Sequence, residues 1–529
     1  MIHLDPVSRW HRYWFDDGGR YALAMVRIAV AVSVLMVLVE LSRLPQLVAP
    51  AAIYRPVGIW MLLGHSPPPE ALVIALWAIA GASTAAMLLG VVSRASTAIS
   101  FVSALAITSL SYSDTPTWSH GHNVVFLAQL ALLGARCGDA LGVDAFRHRH
   151  QPINVERGYQ WSLRLVQLAV ALMFVTACYH KLRSGNFSLA WATSDNLRHH
   201  LLARYDLVGL PRPAIVDWLL EESWRYRTAA MMNLVSQAAP LLAIIFVRRP
   251  WIRGFVAMMF LVEGIAIDQL LGLPNPHWLP LAAVFIDWDR LFRRPPPPPT
   301  PWKPPRRIHV FLIVFILYDL AISLVPKLDH RLNTYPFSAF QMFATIRSAP
   351  PWDEHRPYVM YGDHYSIDGT MEPAVQQYYD HGHRFVYLQT DPKKLEPRLA
   401  TILREIQTTH YPATLLRHQL VMFRAPAYPA PAHFDKQPIA ITGELGPSGF
   451  RTVLGTATRS VVELRPQHVD TTSARLICYV EHEPAPRDLA ATRTGDTFTL
   501  AQPLPASAEH VVAVIGDARW LVWSKRHRN

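Results

Sequence analysis

Lys181, in the segment Tyr179-His180-Lys181-Leu182, closes a long apolar run, and a polar stretch from Arg183 to His200 follows it. A lysine serves as a general base in its neutral form, and burial beside a bilayer favours that form. The competing role is ordinary: a lysine at the end of a membrane helix snorkels, with its stem in the apolar layer and its ammonium among the headgroups. The flanking His180 and the polar loop favour the mouth of a site. Lys181 is therefore the leading catalytic candidate.

His120 and His122 occupy Trp118-Ser119-His120-Gly121-His122-Asn123, which opens another apolar run and should lie on the same membrane face as Lys181. Imidazoles placed there can cap the helix, ligate a metal or move protons. Residues at i and i+2 do not share a helix face. Neither an HExxH motif nor a cysteine partner accompanies the pair, so no metal is expected. Asn196, His199 and His200, in Asn196-Leu197-Arg198-His199-His200, add polar groups to the same side, and Trp191 lies just before them.

Positioning such groups requires helices that cross a membrane. Of the 529 residues, 51% are hydrophobic, and the mean hydropathy is positive, which one soluble domain explains poorly. A hydrocarbon core about 30 Å thick takes roughly 20 apolar residues as helix. Nine runs are candidates: 21–43, 70–91, 95–112, 120–136, 159–181, 228–247, 252–272, 275–288 and 308–327. The fourth and eighth are short. Five charged residues fall inside these runs: Arg27, Glu40, Arg164, Glu263 and Asp268. Each is costly in lipid, so they are expected to face the bundle interior, either neutralising one another to fix helix register or lining a proton or substrate path.

Met1 to Arg20 carries acids, aromatics and glycines where a cleavable signal would have a basic start, which predicts that the first helix is retained as an anchor. The segment Leu4 to Phe15, with Trp10, Tyr13, Trp14 and Phe15 beside Arg9 and Arg12, suits either an interfacial amphipathic helix or a plain helix lead-in. The net charge of +11 comes from bases at helix ends and in connecting loops, a membrane-topology pattern that gives no reason to expect nucleic acid. Arg94, then Arg136, Arg147, Arg149 and Arg157, then Arg248, Arg249 and Arg253, then Arg290 to Arg307 fall on one side when nine spans alternate. This predicts a cytoplasmic N-terminus, with everything after Lys327 outside the cytoplasm. The stretch from Arg183 to Arg227 dissents by its arginines, although long loops follow the rule weakly and this one also carries five acids.

The expected fold is a polytopic α-helical membrane protein of eight or nine transmembrane helices with a C-terminal extramembrane β-rich α+β domain. Its parts are a helical bundle over 1–294, a proline-rich linker over 295–306, an additional transmembrane helix over 307–327 and an extracytoplasmic domain over 328–529. Within the last part, Arg384 to Gln389, Gln419 to Phe423, Ser460 to Leu464, Leu476 to Glu481 and His510 to Ile515 read as strands, and Pro392 to Thr408 as a helix with Leu395, Leu399, Ile402 and Ile406 on one face. Cys137, Cys178 and Cys478 lie far apart with no CxxC pair, so buried packing roles are expected.

Trp118 to Phe126, Phe174 to Leu182, Trp191 and the run Asn196 to Leu201 together resemble the HTTM family of membrane proteins, to which vitamin K-dependent gamma-glutamyl carboxylases belong. The likeness covers roughly Trp10 to Phe292. It implies that Lys181 matches the catalytic lysine and His122 a second active-site group, with His120 a less suitable match and His180, Trp191, Asn196, His199 and His200 supporting. The family reaction is a carbon–carbon lyase-class carboxylation. The lysine deprotonates a reduced vitamin K or menaquinone-type naphthoquinone, O2 adds, and the resulting base removes a γ-proton from a peptide glutamate, whose carbanion captures CO2. Membrane lipid, the quinone and a secreted peptide or protein would be the partners. The chain departs from the family at His180, where the carboxylase has a second lysine, and in 328–529, where its propeptide-binding and glutamate-binding segments have no match. Two other readings keep the fold: a non-catalytic anchor presenting an external binding domain, and a transporter, for which no inverted repeat is apparent.

Overall fold

A computed structural model describes residues 6–15, 19–42, 54, 56–64, 66–113, 121–147, 158–208, 211–292, 304–325, 334–340, 342–344, 358–368, 391–408, 413–425, 433, 435–480, 483 and 485–525. They form two compact units. The first comprises Met1–Ala49, Tyr54–Thr193 and Trp224–Ile346, and the second Pro50–Ile53, Ser194–Ser223 and Arg347–Asn529.

The first unit is helical: α1 (Pro6–Phe15), α2 (Arg20–Glu40), α3 (Glu70–Leu89), α4 (Ser93–Ser111), α5 (Asn123–Leu132), α6 (Gln160–Ser184), α7 (Ser223–Ala238), α8 (Pro240–Ile245), α9 (Pro250–Leu271) and α10 (Arg306–Leu324). Among the described residues six helices are long and apolar enough to cross a membrane: α2, α3, α6, α7 continued by α8, α9 and α10. The other three expected runs take different forms. α4 has the length, but its apolar run is diluted by serine and threonine, whose hydroxyls bond back to carbonyls one turn earlier, as Thr97 to Ser93 at 2.7 Å, Ser103 to Ile99 at 2.7 Å and Thr108 to Ala104 at 2.8 Å. α5 has ten residues, about 15 Å of helix, half a hydrocarbon core. The eighth run is a 3-10 helix, Pro276–Phe285, interrupted by Pro280.

Boundaries follow local chemistry. Pro240 and Pro250 start α8 and α9, where a missing N–H costs nothing, and Gly90 and Gly272 end α3 and α9 in the left-handed conformation. Gly90 has a second reason to lack a side chain: an added Cβ would lie 2.7 Å from Nη1 of Arg27 and 2.9 Å from Cα of Gly142. Arg27 is buried within α2 and donates to the carbonyls of Cys137 at 2.8 Å and Leu141 at 2.6 Å. One guanidinium thus fastens α2 to the turn after α5. At the same end, Arg253 pairs with Asp287 at 2.8 Å, and the buried Arg164 donates to Gln167 at 2.8 Å. α1 has buried Trp14 and Phe15, and its Trp10 Nε1–H donates to Nδ1 of His309 on α10 at 3.2 Å.

The second unit carries the β structure. Strands β1 (Tyr358–Ile367), β2 (Leu416–Ala425), β3 (Asp435–Gly446), β4 (Gly449–Arg451), β7 (Arg475–Val480), β8 (Arg487–Asp488), β11 (Ala508–Ile515) and β12 (Ala518–Ser524) make one sheet in the order β1-β2-β3-β12-β11-β7-β8, with β4 on β3. A smaller sheet has the order β5-β6-β10-β9, from β5 (Thr456–Ala457), β6 (Val461–Glu463), β9 (Ala491–Thr494) and β10 (Thr497–Leu500). Pairing is antiparallel except at Trp520 opposite Ile441, where β12 meets β3. Helix α11 (Pro392–Thr408) buries Leu395, Leu399 and Ile402 against Leu416, Leu420 and Ile439. Four of the five expected strands coincide with β2, β6, β7 and β11. The fifth, Arg384 to Gln389, lies outside the described residues, as does the proline run 295–299.

Candidate active site

Three polar residues of α7, Asn233, Ser236 and Gln237, are spaced i, i+3 and i+4, which puts them on one face of the helix. That face meets Lys181 from α6 and Glu263 from α9. The Nζ of Lys181 donates to Oδ1 of Asn233 and, at 3.0 Å, to Oε1 of Gln237. Both amides turn their NH2 groups to Oε1 of Glu263, and the Ser236 hydroxyl donates to its Oε2. The chemistry forces this orientation, because an ammonium only donates and a carboxylate only accepts. A layer of amides therefore separates the two charges. On another side, Nζ lies 4.1 Å from the ring centroid of Trp191.

Lys181 is 1% exposed. Snorkelling would leave its nitrogen in water or among headgroups, so its position is that of an interior amine. An aromatic cluster lies further along the same helix. Phe174, two turns earlier on α6, packs 4.9 Å from Phe260 and 5.9 Å from Trp278 between ring centroids. Phe260 precedes Glu263 by three residues, so one face of α9 supplies both a member of this cluster and the carboxylate.

His122 belongs to a second cluster. Its Nδ1 lies 2.9 Å from the Tyr112 hydroxyl, and its Nε2 lies 3.4 Å from Oε2 of Glu40. The same Oε2 lies 3.4 Å from Nδ1 of His277, whose Nε2 lies 3.1 Å from the Gly121 carbonyl. The C-terminal end of α2, the end of α4, the start of α5 and the start of the 3-10 helix converge here. Aromatic contacts join the two clusters, His122 on His277 at 4.9 Å, His277 on Trp278 at 6.2 Å and Trp278 on Phe174.

The remaining expected residues are distributed more widely. His120 lies outside the described residues. His180 is buried, with Nε2 2.6 Å from the Ser323 carbonyl of α10, which fixes it to a neighbouring backbone. Asn196, His199 and His200 lie buried on the helix Asn196–Val208, which belongs to the second unit. Arg27 and Arg164 sit at the end of the bundle remote from Lys181, as the contacts above place them. Of the five intramembrane charges Arg27, Arg164 and Glu263 are buried, and the other two are only partly enclosed. The Glu40 side chain is 46% exposed at the last turn of α2, and Asp268 is half-buried and receives a hydrogen bond from the adjacent Gln269 at 3.2 Å.

Sequence reasoning missed Asn233, Gln237, His277 and Tyr112. The signal for the first two was present as amides one turn apart inside an apolar run. His277 had none, since a single histidine beside prolines reads as a loop residue.

Comparison with protein-family models, with curated proteins and with solved structures gives no match.

Proposed function

We propose that the chain is an integral membrane enzyme in which Lys181 accepts a proton from a reduced naphthoquinone, coupling quinol oxidation to carboxylation of a peptide glutamate in the manner of the vitamin K-dependent carboxylases. The observation that carries this reading is the buried amine of Lys181, held by two amide oxygens with the Glu263 carboxylate one amide away. A lysine in direct contact with a carboxylate must break an ion pair to give up its proton. Here that pair is interrupted. The aromatic cluster of Phe174, Phe260 and Trp278 suits an apolar ring system, and water-poor surroundings protect a strong base and a carbanion from quenching. O2 and CO2 would be co-substrates. His122 is the second group of the site by resemblance.

In this reading the six long helices, with α4 and one or both short apolar elements, make eight or nine spans. The N-terminus is cytoplasmic and the β-rich domain extracytoplasmic, which rests on the alternation of basic loops.

One observation favours a second, non-catalytic reading. Two amide oxygens and an indole face are what the three protons of an ammonium require. Lys181 would then be an internal lock in a membrane anchor. Oxidation of a reduced menaquinone analogue by purified protein separates the two. The enzyme requires turnover that Lys181→Arg abolishes, because a guanidinium stays protonated. It also predicts partial rescue of Lys181→Ala by a small amine. Normal turnover in well-folded Lys181→Arg protein, or none in the parent, leaves the lock.

A further inference from the structure

Glu40, His122 and His277 come from three separate parts of the chain, yet each brings one ligand atom into a common cluster, with all three atoms within 4.8 Å of one another. We infer that these residues form a binding site for a divalent transition-metal ion of the zinc or cobalt kind. Three features carry the inference, none of which depends on the role of Lys181.

The first is spacing. The Oε2 of Glu40 stands 3.4 Å from a nitrogen of each histidine. A charge-assisted hydrogen bond between such groups is shorter, at about 2.7–2.9 Å. Ligands about 2.1 Å from one tetrahedral ion, by contrast, are separated by about 3.4 Å. The carboxylate is thus long for either hydrogen bond and correctly spaced for a shared cation.

The second is the orientation of the rings. Each histidine anchors its outer nitrogen on a fixed oxygen, Nδ1 of His122 on Tyr112 and Nε2 of His277 on the Gly121 carbonyl. A carbonyl only accepts, so Nε2 of His277 carries the proton and its Nδ1 presents a lone pair to Glu40. Outer contacts of this sort hold the ligand histidines of metal sites.

The third is a buried atom without a hydrogen bond. His277 is 1% exposed, and its inward Nδ1 meets the Glu40 carboxylate only at 3.4 Å and makes no hydrogen bond among the described residues. A bound cation would satisfy it. Two imidazoles and one carboxylate suit borderline divalent ions and are poor donors for calcium or magnesium. Three protein ligands leave at least one position open, and the exposed side of Glu40 gives the ion a path. The separate positions in sequence explain why the 120/122 pair gave no reason to expect a metal: its partners were an acid at the end of α2 and a histidine beyond α9.

The test uses full-length protein in detergent, stripped with a chelator and titrated with Co2+, with bound metal counted by elemental analysis and the ligand field read from visible absorption. One equivalent of cobalt with low-symmetry d–d bands, displaced by Zn2+, is expected. Glu40→Gln and His277→Gln should each remove that equivalent, and Tyr112→Phe should weaken it by about 10-fold. Asp268→Asn, a carboxylate lost elsewhere on the same helical unit, should leave it intact. Glu40 is half exposed, so its amide variant remains informative if His277→Gln fails to fold. Absence of bands in the parent, or an unchanged equivalent in both ligand variants, overturns the site and leaves a hydrogen-bonded polar cluster.

Discussion

Trp191 lies under Lys181 with its ring centroid 4.1 Å from Nζ, and the same indole donates its Nε1–H to the Phe343 carbonyl at 2.8 Å. The platform is therefore itself fixed. A desolvated cation–π contact contributes about 2 kcal/mol, and full truncation of a buried tryptophan costs about 3–5 kcal/mol. Trp191→Phe should accordingly lose about 1–2 kcal/mol of stability and Trp191→Ala clearly more, as measured by reversible unfolding in mixed detergent. Equal losses in the two variants would mean that the ring face carries no interaction with the amine.

The amide layer between Lys181 and Glu263 makes their contributions interdependent. Removing one member of a buried charge pair strands the other, at a cost of about 3–5 kcal/mol. Lys181→Met and Glu263→Gln should each show a loss of that order, while the double variant should lose markedly less than the sum. Additive losses would show that Asn233 and Gln237 insulate the two charges from each other.

Gly90 sits at a φ of +66° against the Arg27 guanidinium. Gly90→Ala should destabilise by about 1–3 kcal/mol from backbone conformation alone, with more from the displaced arginine. Gly254, in α9 with open space where a Cβ would stand, is the control. There alanine should be neutral or slightly stabilising by its helix propensity. Thermal unfolding followed by size-exclusion chromatography compares them.

All three cysteines are buried and unbridged. Burial pushes the Cys478 thiol in the β domain up to about 11. Its thiolate is the reactive form and becomes abundant only above that pH. A membrane-permeant maleimide at pH 8 should leave native protein unlabelled and add three labels after denaturation, read by intact mass. Fast labelling of Cys478 in folded protein would place β7 in exchange with an open state.

Reporter fusions after residues 150 and 340 should localise to opposite sides of the membrane. The basis is the clustering of arginines at alternate helix connections. Like signals from both fusions would change the number of spans between them.

Periodicity and composition by themselves determined the elements. Runs of apolar residues near 20 long gave the six long helices, alternation with turn residues gave β2, β6, β7 and β11, and the i, i+4 repeat of Leu395 and Leu399 gave the buried face of α11. Run length marked 120–136 and 275–288 as the weak spans, though it could not say that one would be a ten-residue helix and the other a 3-10 helix. What decides those forms is packing on neighbours. Lys181 stood out because an amine beside an apolar run is costly wherever it goes. Only the tertiary structure decided that it goes inward, since its compensation comes from Asn233, Gln237 and Trp191 on other elements. Likewise the sequence showed that His122 begins a helix, while its meeting with Glu40 and His277 required the ends of α2, α5 and the 3-10 helix to converge. A sequence pattern reports which residues share a face of one element. Which faces meet is set by the packing of the whole bundle, and both polar clusters are products of that packing.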